Sequence, residues 1–353
     1  MMVWFKPIYH SLGNLESKVL KQEILNKKIK QPIYVSGLAR SGTTIMSQIL
    51  SEHHDTANHC YSDFPEVFFP YWKNWLKKRQ INFQPNLAER SHQDRLLVNN
   101  NSIEAFEEVL WMYYFNDIHK DGISHTLINE DLDLFFIYYQ LHIKKLLAIH
   151  DKSRYLAKAN YNINRIESIL TYFPDAKFII PVRHPINHIA SLIKQHNLFK
   201  TNNNNKINKQ LAASGHFEFG EIREVIDFGD LTINKNIINS WHDGDEIKGW
   251  AMYWQYIYGS VFKLKQKNKI LKHAITFVKY EDLCMSSELS ILKVLDECEL
   301  NTSDNLKLVK KYTQQLTPPK YYTLPFSQTE KNAIMSLTDE VANYFSYQKD
   351  NHL

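Results

Sequence analysis

The sequence has 353 residues, of which 44% are hydrophobic and 23% are charged, and its formal net charge at pH 7 is +4. This composition is typical of a globular protein and excludes a fibrous or intrinsically disordered chain. The net charge is too small to indicate general nucleic-acid binding, so we expect no nucleic-acid partner, although a local basic site for an anionic nucleotide remains open.

Length and cysteine content limit the organisation further. A chain of this length fits one enlarged α/β domain or two ordinary ones, and we favour a single domain over residues 1–353. Cys60, Cys284 and Cys298 are an odd set at wide spacings, which indicates neither a disulfide framework nor a zinc site. Reduced thiols fit a cytoplasmic protein. No stretch approaches the roughly 20 apolar residues that span a bilayer, so we expect no integral membrane segment and no export signal.

The predicted elements begin with an amphipathic helix near residues 15–29, which we expect to lie against the domain rather than on a membrane surface. A buried strand over 33–36 follows, and then a helix over about 43–52. Residues 66–150 are rich in aromatic residues at helical spacings and predict a helical insertion, which can form a cap or a wall for an acceptor.

The second half of the chain repeats the alternation of strands and helices. A helix, the short apolar strand KFIIPV and another helix lie between residues 155 and 195, and a further strand and helix follow residue 274. The asparagine-rich composition of segment 201–208 predicts a loop. This loop is either a lid over the site or an insertion without a functional role. The pattern predicts an α/β, P-loop-like, three-layer fold in which helices flank a mostly parallel central sheet, with a core over 31–300 and a helical extension over 301–353.

The segment PIYVSGLARSGTT, residues 32–44, predicts a strand that leads through a phosphate-binding loop into a helix. Gly37 and Gly42 have the spacing of the nucleotide-binding motif G-x-x-x-x-G-K-[ST], but Thr43 occupies the lysine position. That lysine contacts the β- and γ-phosphates of triphosphates, so its absence argues against cleavage of a triphosphate. Arg40 supplies a positive charge within the loop, which favours a smaller anion such as a substituted 5′-phosphate.

Backbone N–H groups at the start of the predicted helix, together with the hydroxyl groups of Ser41, Thr43 and Thr44, can bind a 5′-phosphate. A second anion site is indicated by PVRHPINHIASLIK. Arg183 ends the predicted strand in this segment and Ser191 lies on the helix that follows, so the two residues can hold another phosphate.

The two motifs together resemble the sulfotransferase family, whose members use 3′-phosphoadenosine 5′-phosphosulfate (PAPS). The resemblance rests on GLARSGTT and FPDAKFIIPVRHPINHIASL, continues through LAKANYNINRI, GWAMYWQYIYG and FVKYEDLC, and spans most of residues 31–300. It is greatest to bacterial members related to protein-tyrosine sulfotransferases. The resemblance implies that the first motif binds the 5′-phosphosulfate and that Arg183 and Ser191 bind the 3′-phosphate.

The resemblance also implies a catalytic role for Lys158. Sulfuryl transfer develops negative charge on the departing bridging oxygen, which an ammonium group would stabilise. The family often has a proline two residues after this lysine, where this chain has Asn160, which leaves the local geometry open. The reaction implied is transfer of a sulfuryl group to the hydroxyl of an acceptor, leaving 3′-phosphoadenosine 5′-phosphate (PAP), with no metal required.

An attacking hydroxyl must also lose its proton to a base. Related enzymes have an acidic base shortly after the first helix, where this chain has Asp63 and Glu66. We favour Asp63, because Glu66 can equally cap the helix that follows Pro65. His59 is a weaker alternative.

Two histidine assignments remain open on the sequence. His216, which follows the asparagine-rich segment, can contact the acceptor or can simply pack among phenylalanines. His184 and His188 are four residues apart, but no third ligand is evident, so we expect no metal site.

The acceptor class is open between carbohydrate, tyrosine, lipid and small phenol. An aromatic wall would suit each of them, with Trp72, Trp75, Trp111, Tyr113 and Tyr114 as its candidates. Two alternatives to a sulfotransferase are a kinase-like phosphoryl transferase and an inactive PAP-binding regulator.

Overall fold

The computed structural model describes residues 6–79, 87–89, 97–116, 118–119, 129–201, 211–221, 223–300, 305–317 and 326–347. The strands are β1 (Ile33–Val35), β2 (Thr56–Ala57), β3 (Ala88–Glu89), β4 (Leu97–Val98), β5 (Arg154–Lys158), β6 (Lys177–Val182) and β7 (Ile275–Lys279). Five of them form a parallel sheet in the order β2-β5-β1-β6-β7, and β3 and β4 form a separate antiparallel pair.

The helices of the described residues are α1 (Lys6–Val19), α2 (Lys21–Leu25), α3 (Thr43–Ser51), α4 (Pro70–Arg79), α5 (Glu107–Tyr114), α6 (Asn129–His150), α7 (Ile166–Tyr172), α8 (Pro185–Thr201), α9 (Leu231–His242), α10 (Glu246–Gln266), α11 (Lys269–Ala274), α12 (Tyr280–Met285), α13 (Ser287–Glu297), α14 (Asn305–Gln315) and α15 (Gln328–Tyr344). No helix in the described part of the chain combines the length and apolar character needed to cross a bilayer.

Both faces of the central sheet are covered by helices. Side chains along a strand point alternately to opposite faces, and in β1 the residues Ile33 and Val35 belong to one apolar core while Tyr34 belongs to the other. All three are fully buried. The chain therefore has the predicted α/β fold with a parallel sheet between two helical layers, and this prediction is confirmed.

The region between β2 and β5 contains α4, α5 and α6, together with the β3–β4 hairpin, which the sequence pattern did not predict. The amphipathic N-terminal segment is helical but is divided at Leu20 into α1 and α2, and the buried Glu16 of α1 pairs with Lys145 of α6 at 2.9 Å. From residue 202 the predicted asparagine-rich loop lies outside the described residues.

Candidate active site

The candidate site lies at the carboxyl end of the sheet, where β1 and β5 end side by side and the neighbouring β6 continues to Val182. Val35 is in register with Lys158 on one side and with Ile179 on the other. The chain then continues into the predicted phosphate-binding loop, whose first residue, Ser36, donates its N–H to the Ile179 carbonyl at 3.1 Å. Ligands of open α/β sheets bind at this edge.

The loop depends on two glycines. Gly37 has a φ of +150° and Gly42 a φ of +110°, in the backbone region that favours glycine. A Cβ on Gly42 would also lie 2.9 Å from the Tyr280 ring. Gly42 is the N-cap of α3, so the loop ends where the first N–H groups of that helix face away from its body.

Two arginines and a serine meet at this loop. Arg40 Nε donates to Ser191 Oγ at 3.3 Å, and Arg183 Nη1 donates to the Arg40 carbonyl at 3.5 Å. Arg183 is 9% exposed, and its guanidinium lies 4.9 Å from the centre of the Tyr280 ring. Two guanidinium groups beside a helix N-terminus form an environment suited to phosphate or sulfate groups.

His188 fastens the loop to α8. Its Nε2 atom donates to the Ala39 carbonyl at 2.8 Å. Burial, supplemented by the positive charges of Arg183 and Arg40, lowers the pKa of His188 to about 3, so the ring is neutral at physiological pH. The His184–His188 spacing therefore serves loop packing through His188, and the described residues contain no group of three or more potential ligands placed for a metal ion.

Lys158, the last residue of β5, forms an ion pair. Its Nζ atom lies 2.6 Å from Oε1 of Glu104, and the two side chains are 6% and 7% exposed. Glu104 is brought there by pairing between two irregular segments: its N–H donates to the His59 carbonyl at 3.1 Å, and the Tyr61 N–H donates to the Ser102 carbonyl at 3.0 Å.

His216 lies near the same ion pair and faces Glu218, with 3.6 Å between His216 Nδ1 and Glu218 Oε2. Burial opposes ionisation of the imidazole, but Glu218 and Glu104 raise the pKa of His216 above its ordinary value. Asn160, which replaces the family proline, donates to Glu218 Oε1 at 2.9 Å. The residue that departs from the family pattern thus helps to hold the segment that carries His216.

The two proposed bases are bound by other groups. Asp63 is 1% exposed, and it accepts hydrogen bonds from His59 Nδ1 at 2.9 Å and from the Cys60 N–H at 3.1 Å. Burial alone would raise the pKa of Asp63, but these donors lower it. Glu66 is partly exposed and pairs with Lys73 at 2.9 Å. The contacts of Asp63 stabilise a helical turn, and its assignment as base stays a prediction.

His59 and one of the candidate aromatic residues, Trp111, are accounted for by packing. His59 Nε2 lies 2.8 Å from His142 Nε2 inside the protein. Trp111 is fully buried in the core, so its inclusion in an acceptor wall was wrong. Trp75 is 39% exposed and lies under the Arg79 guanidinium at 3.7 Å.

A family model described as the sulfotransferase family matches residues 32–218, which is more than half of the chain and includes the loop, Lys158, Arg183 and His216. The chain belongs to the sulfotransferase family. Membership supports an enzyme that transfers sulfuryl groups. A comparison with curated proteins found no match.

Two solved sulfotransferase structures have a similar fold. STF9 from Mycobacterium avium is 12% identical, with a TM-score of 0.54, and the match covers 94% of this chain and 82% of that one. STF1 from Mycobacterium tuberculosis H37Rv is also 12% identical, with a TM-score of 0.51 and coverages of 94% and 83%. At this identity the likeness concerns the fold.

The structure adds to this sulfotransferase site a residue that sequence reasoning missed. Glu104 precedes α5 in SIEAFEEV, where carboxylates are expected simply as favourable charges in the first turn of a helix. Its position beside Lys158 depends on pairing with residues more than 40 positions earlier in the chain. No local spacing signals such a contact.

Proposed function

We propose that this sulfotransferase uses PAPS as donor and transfers the sulfuryl group to an acceptor hydroxyl, leaving PAP. The observation that carries the proposal is the meeting of Arg40, Arg183 and Ser191 at the start of α3, next to the strand end that carries the buried Lys158. This arrangement supplies two fixed guanidinium groups and one ammonium group for a nucleotide that carries negative charge at both ends.

Each group has a separate role in the proposed mechanism. The loop residues Gly37 to Thr44 bind the 5′-phosphosulfate through backbone N–H groups and hydroxyls, with Arg40 as counter-charge. Arg183 and Ser191 bind the 3′-phosphate. Lys158 stabilises the bridging oxygen as the bond to sulfur breaks, because negative charge grows there in the transition state. Since these cations provide the compensating charge, the scheme needs no metal ion.

The acceptor is a molecule with a reactive hydroxyl group, and the site beside Lys158 and His216 is where we expect it to bind. His216 is available as a hydrogen-bond partner, because the carboxylate of Glu218 orients its ring from one side. Candidate acceptors are carbohydrates, tyrosine, lipids and small phenols.

Side-by-side titrations of PAP and ATP test the donor class, and a screen for labelled sulfate transfer from PAPS tests the activity across glycans, lipids and phenols. We expect PAP to bind far more tightly than ATP, because the loop lacks the lysine that holds a γ-phosphate. Activity that required ATP and Mg²⁺ would refute the proposal in favour of a phosphoryl transferase. Tight PAP binding without transfer to any acceptor in the screen would instead identify a PAP-binding regulator.

A further inference from the structure

The Glu104–Lys158 ion pair contains the ammonium group that the proposed function assigns to the donor. Lys158 is in register with Val35, the residue directly before the phosphate loop, so its backbone ends β5 next to the start of that loop. The contact of 2.6 Å to Glu104 Oε1 is a charge-assisted hydrogen bond between two nearly inaccessible side chains.

The surroundings of Glu104 keep it ionised. Besides Lys158 on β5, the groups facing its carboxylate are Tyr61, which donates a hydrogen bond, and His216, which adds positive charge; Oε1 also accepts the Ala105 N–H at 2.7 Å. Burial alone would raise the pKa of Glu104, but Lys158 and these neighbours hold it well below its usual range. With Lys158 bound to it, the carboxylate is a weak proton acceptor.

Donor binding changes this balance. The ammonium that neutralises Glu104 is the same one that the proposed function assigns to the donor, so a carboxylate and an anionic nucleotide compete for one positive charge. Once Lys158 turns towards the nucleotide, Glu104 loses its main counter-ion and gains negatively charged neighbours. Both changes increase its affinity for a proton.

We propose that Glu104 holds Lys158 in the donor-free enzyme, and that donor binding exchanges this partner and makes Glu104 the base for the acceptor hydroxyl. This inference rests on the proposed function. In the reaction, the acceptor oxygen bonds to sulfur while its proton passes to Glu104. The bond between sulfur and the bridging oxygen breaks, and its electron pair remains on the 5′-phosphate oxygen next to Lys158.

This exchange would make donor binding precede activation of the acceptor hydroxyl. The carboxylate becomes a competent proton acceptor only when the nucleotide has drawn Lys158 away, so the acceptor hydroxyl is activated only when a sulfuryl group is present. Asp63 and Glu66 have no comparable link to the donor, because their carboxylates are held by His59 and Lys73.

Glu104→Gln tests the exchange through calorimetric titration with PAP. The substitution frees Lys158 and removes a negative charge next to the nucleotide, so PAP affinity should rise about threefold or more. Glu16→Gln is the matched control, because it removes the same charge from another buried pair, that with Lys145, where both side chains are inaccessible. The control should bind PAP as the wild type does, even if its melting temperature falls.

Weaker or unchanged PAP binding in folded Glu104→Gln would overturn the exchange, since the carboxylate would then merely support the site. A failure of the wild type to bind PAP would overturn the proposed function itself. The two failures are therefore distinguishable in one set of titrations.

Proton uptake on PAP binding provides a second test. If Glu104 had only a structural role, its removal would not change this uptake. Titrations at about pH 6, in buffers of different ionisation enthalpy, report the protons taken up with PAP, including those of its phosphates. Because Glu104 also raises the pKa of His216, the comparison is made in variants that lack this histidine. His216→Gln should take up more protons than the double variant that also carries Glu104→Gln. Equal uptake by these two variants would overturn the proposal.

Discussion

Gly42 marks the point where the phosphate loop becomes a helix, and it is subject to two constraints at once. Its φ of +110° disfavours any side chain, and a Cβ would lie 2.9 Å from the Tyr280 ring. Gly244 offers a matched comparison: its φ is +81°, but a Cβ there would meet nothing within 4 Å.

We expect Gly42→Ala to lower the free energy of unfolding by more than Gly244→Ala, for which backbone strain alone costs about 1 to 2 kcal/mol. Gly42→Ala should also weaken PAP binding, because the backbone N–H groups of the loop move when the Tyr280 ring is displaced. Urea unfolding and calorimetry measure the two effects. Equal destabilisation by both substitutions would show that the contact with Tyr280 is relieved without cost.

Arg183 is expected to distinguish nucleotides by their 3′-phosphate. Arg183→Ala should weaken binding of PAP by about 2 kcal/mol or more, since a charge-assisted contact is lost. Binding of adenosine 5′-phosphosulfate, which has no 3′-phosphate, should change far less. Equal weakening of the two ligands, measured by calorimetry under the same conditions, would assign Arg183 to the 5′ side of the site.

The sequence predicted those site residues that belong to a recognisable local pattern. The loop glycines and Arg40 follow from spacing, and Arg183 follows from its position at the end of a strand. Glu104 could not be found in this way, because its contact with Lys158 is made through long-range pairing of two segments without regular structure. The bond from Asn160 to Glu218 has the same origin.

The strands of the central sheet also divide into those that the sequence predicts and those that it does not. The sequence pattern predicts β1, β6 and β7, which are continuous apolar runs of the kind found in buried parallel strands. It does not predict β5, although all five residues of RYLAK are buried, because charged residues stand at both ends of the segment. Arg154 is accommodated by donating to the carbonyls of Gln31 and Cys298, which only the folded chain brings together.

The N-terminal helix α1 is fixed to the insertion by a buried ion pair. Glu16 pairs with Lys145 of α6 and accepts the Trp72 N–H of α4 at 2.6 Å, so one carboxylate joins three helices. Removing one partner of a buried pair leaves an uncompensated charge, whereas removing both partners is far better tolerated.

Lys145→Met should therefore lower the free energy of unfolding by about 3 to 5 kcal/mol. Adding Glu16→Gln to this variant should restore much of the loss, and urea unfolding of the two single variants and the double variant measures the coupling. Additive losses would mean that the two charges do not depend on each other.

At the scale of the whole molecule, buried titratable groups couple stability to pH. Burial, with Arg183 and Arg40 nearby, lowers the pKa of His188 to about 3, and burial lowers that of His150 to about 4. Glu108 and Glu218 have pKa values of about 2, where Arg165 and His216 respectively outweigh the effect of burial. Among the carboxylic acids and histidines of the described residues, Glu16, Glu107 and His216 act in the opposite direction, because their pKa values are raised.

A histidine with a lowered pKa binds fewer protons in the folded state than in the unfolded state, where its ordinary pKa is 6.5. Stability from His150 and His188 is therefore fully present above pH 6.5 and is lost as the pH falls towards the folded values. The carboxylates Glu108 and Glu218 add a further loss below their ordinary value of 4.5. Together, the contributions of these histidines and carboxylates predict that the protein loses stability on acidification while most surface carboxylates are still ionised.

We expect the urea midpoint to fall steadily from pH 6.5 to pH 4, over the interval between the ordinary and the folded pKa of His150. His150→Gln should flatten this slope, because one group that takes up a proton on unfolding is gone. Glu299→Gln is the comparison variant, because that carboxyl is 58% exposed and solvent screens its pairing with Lys177, so its contribution to the slope should be small. A midpoint that stays constant across the interval would mean that the raised pKa values of Glu16, Glu107 and His216 fully offset the histidines.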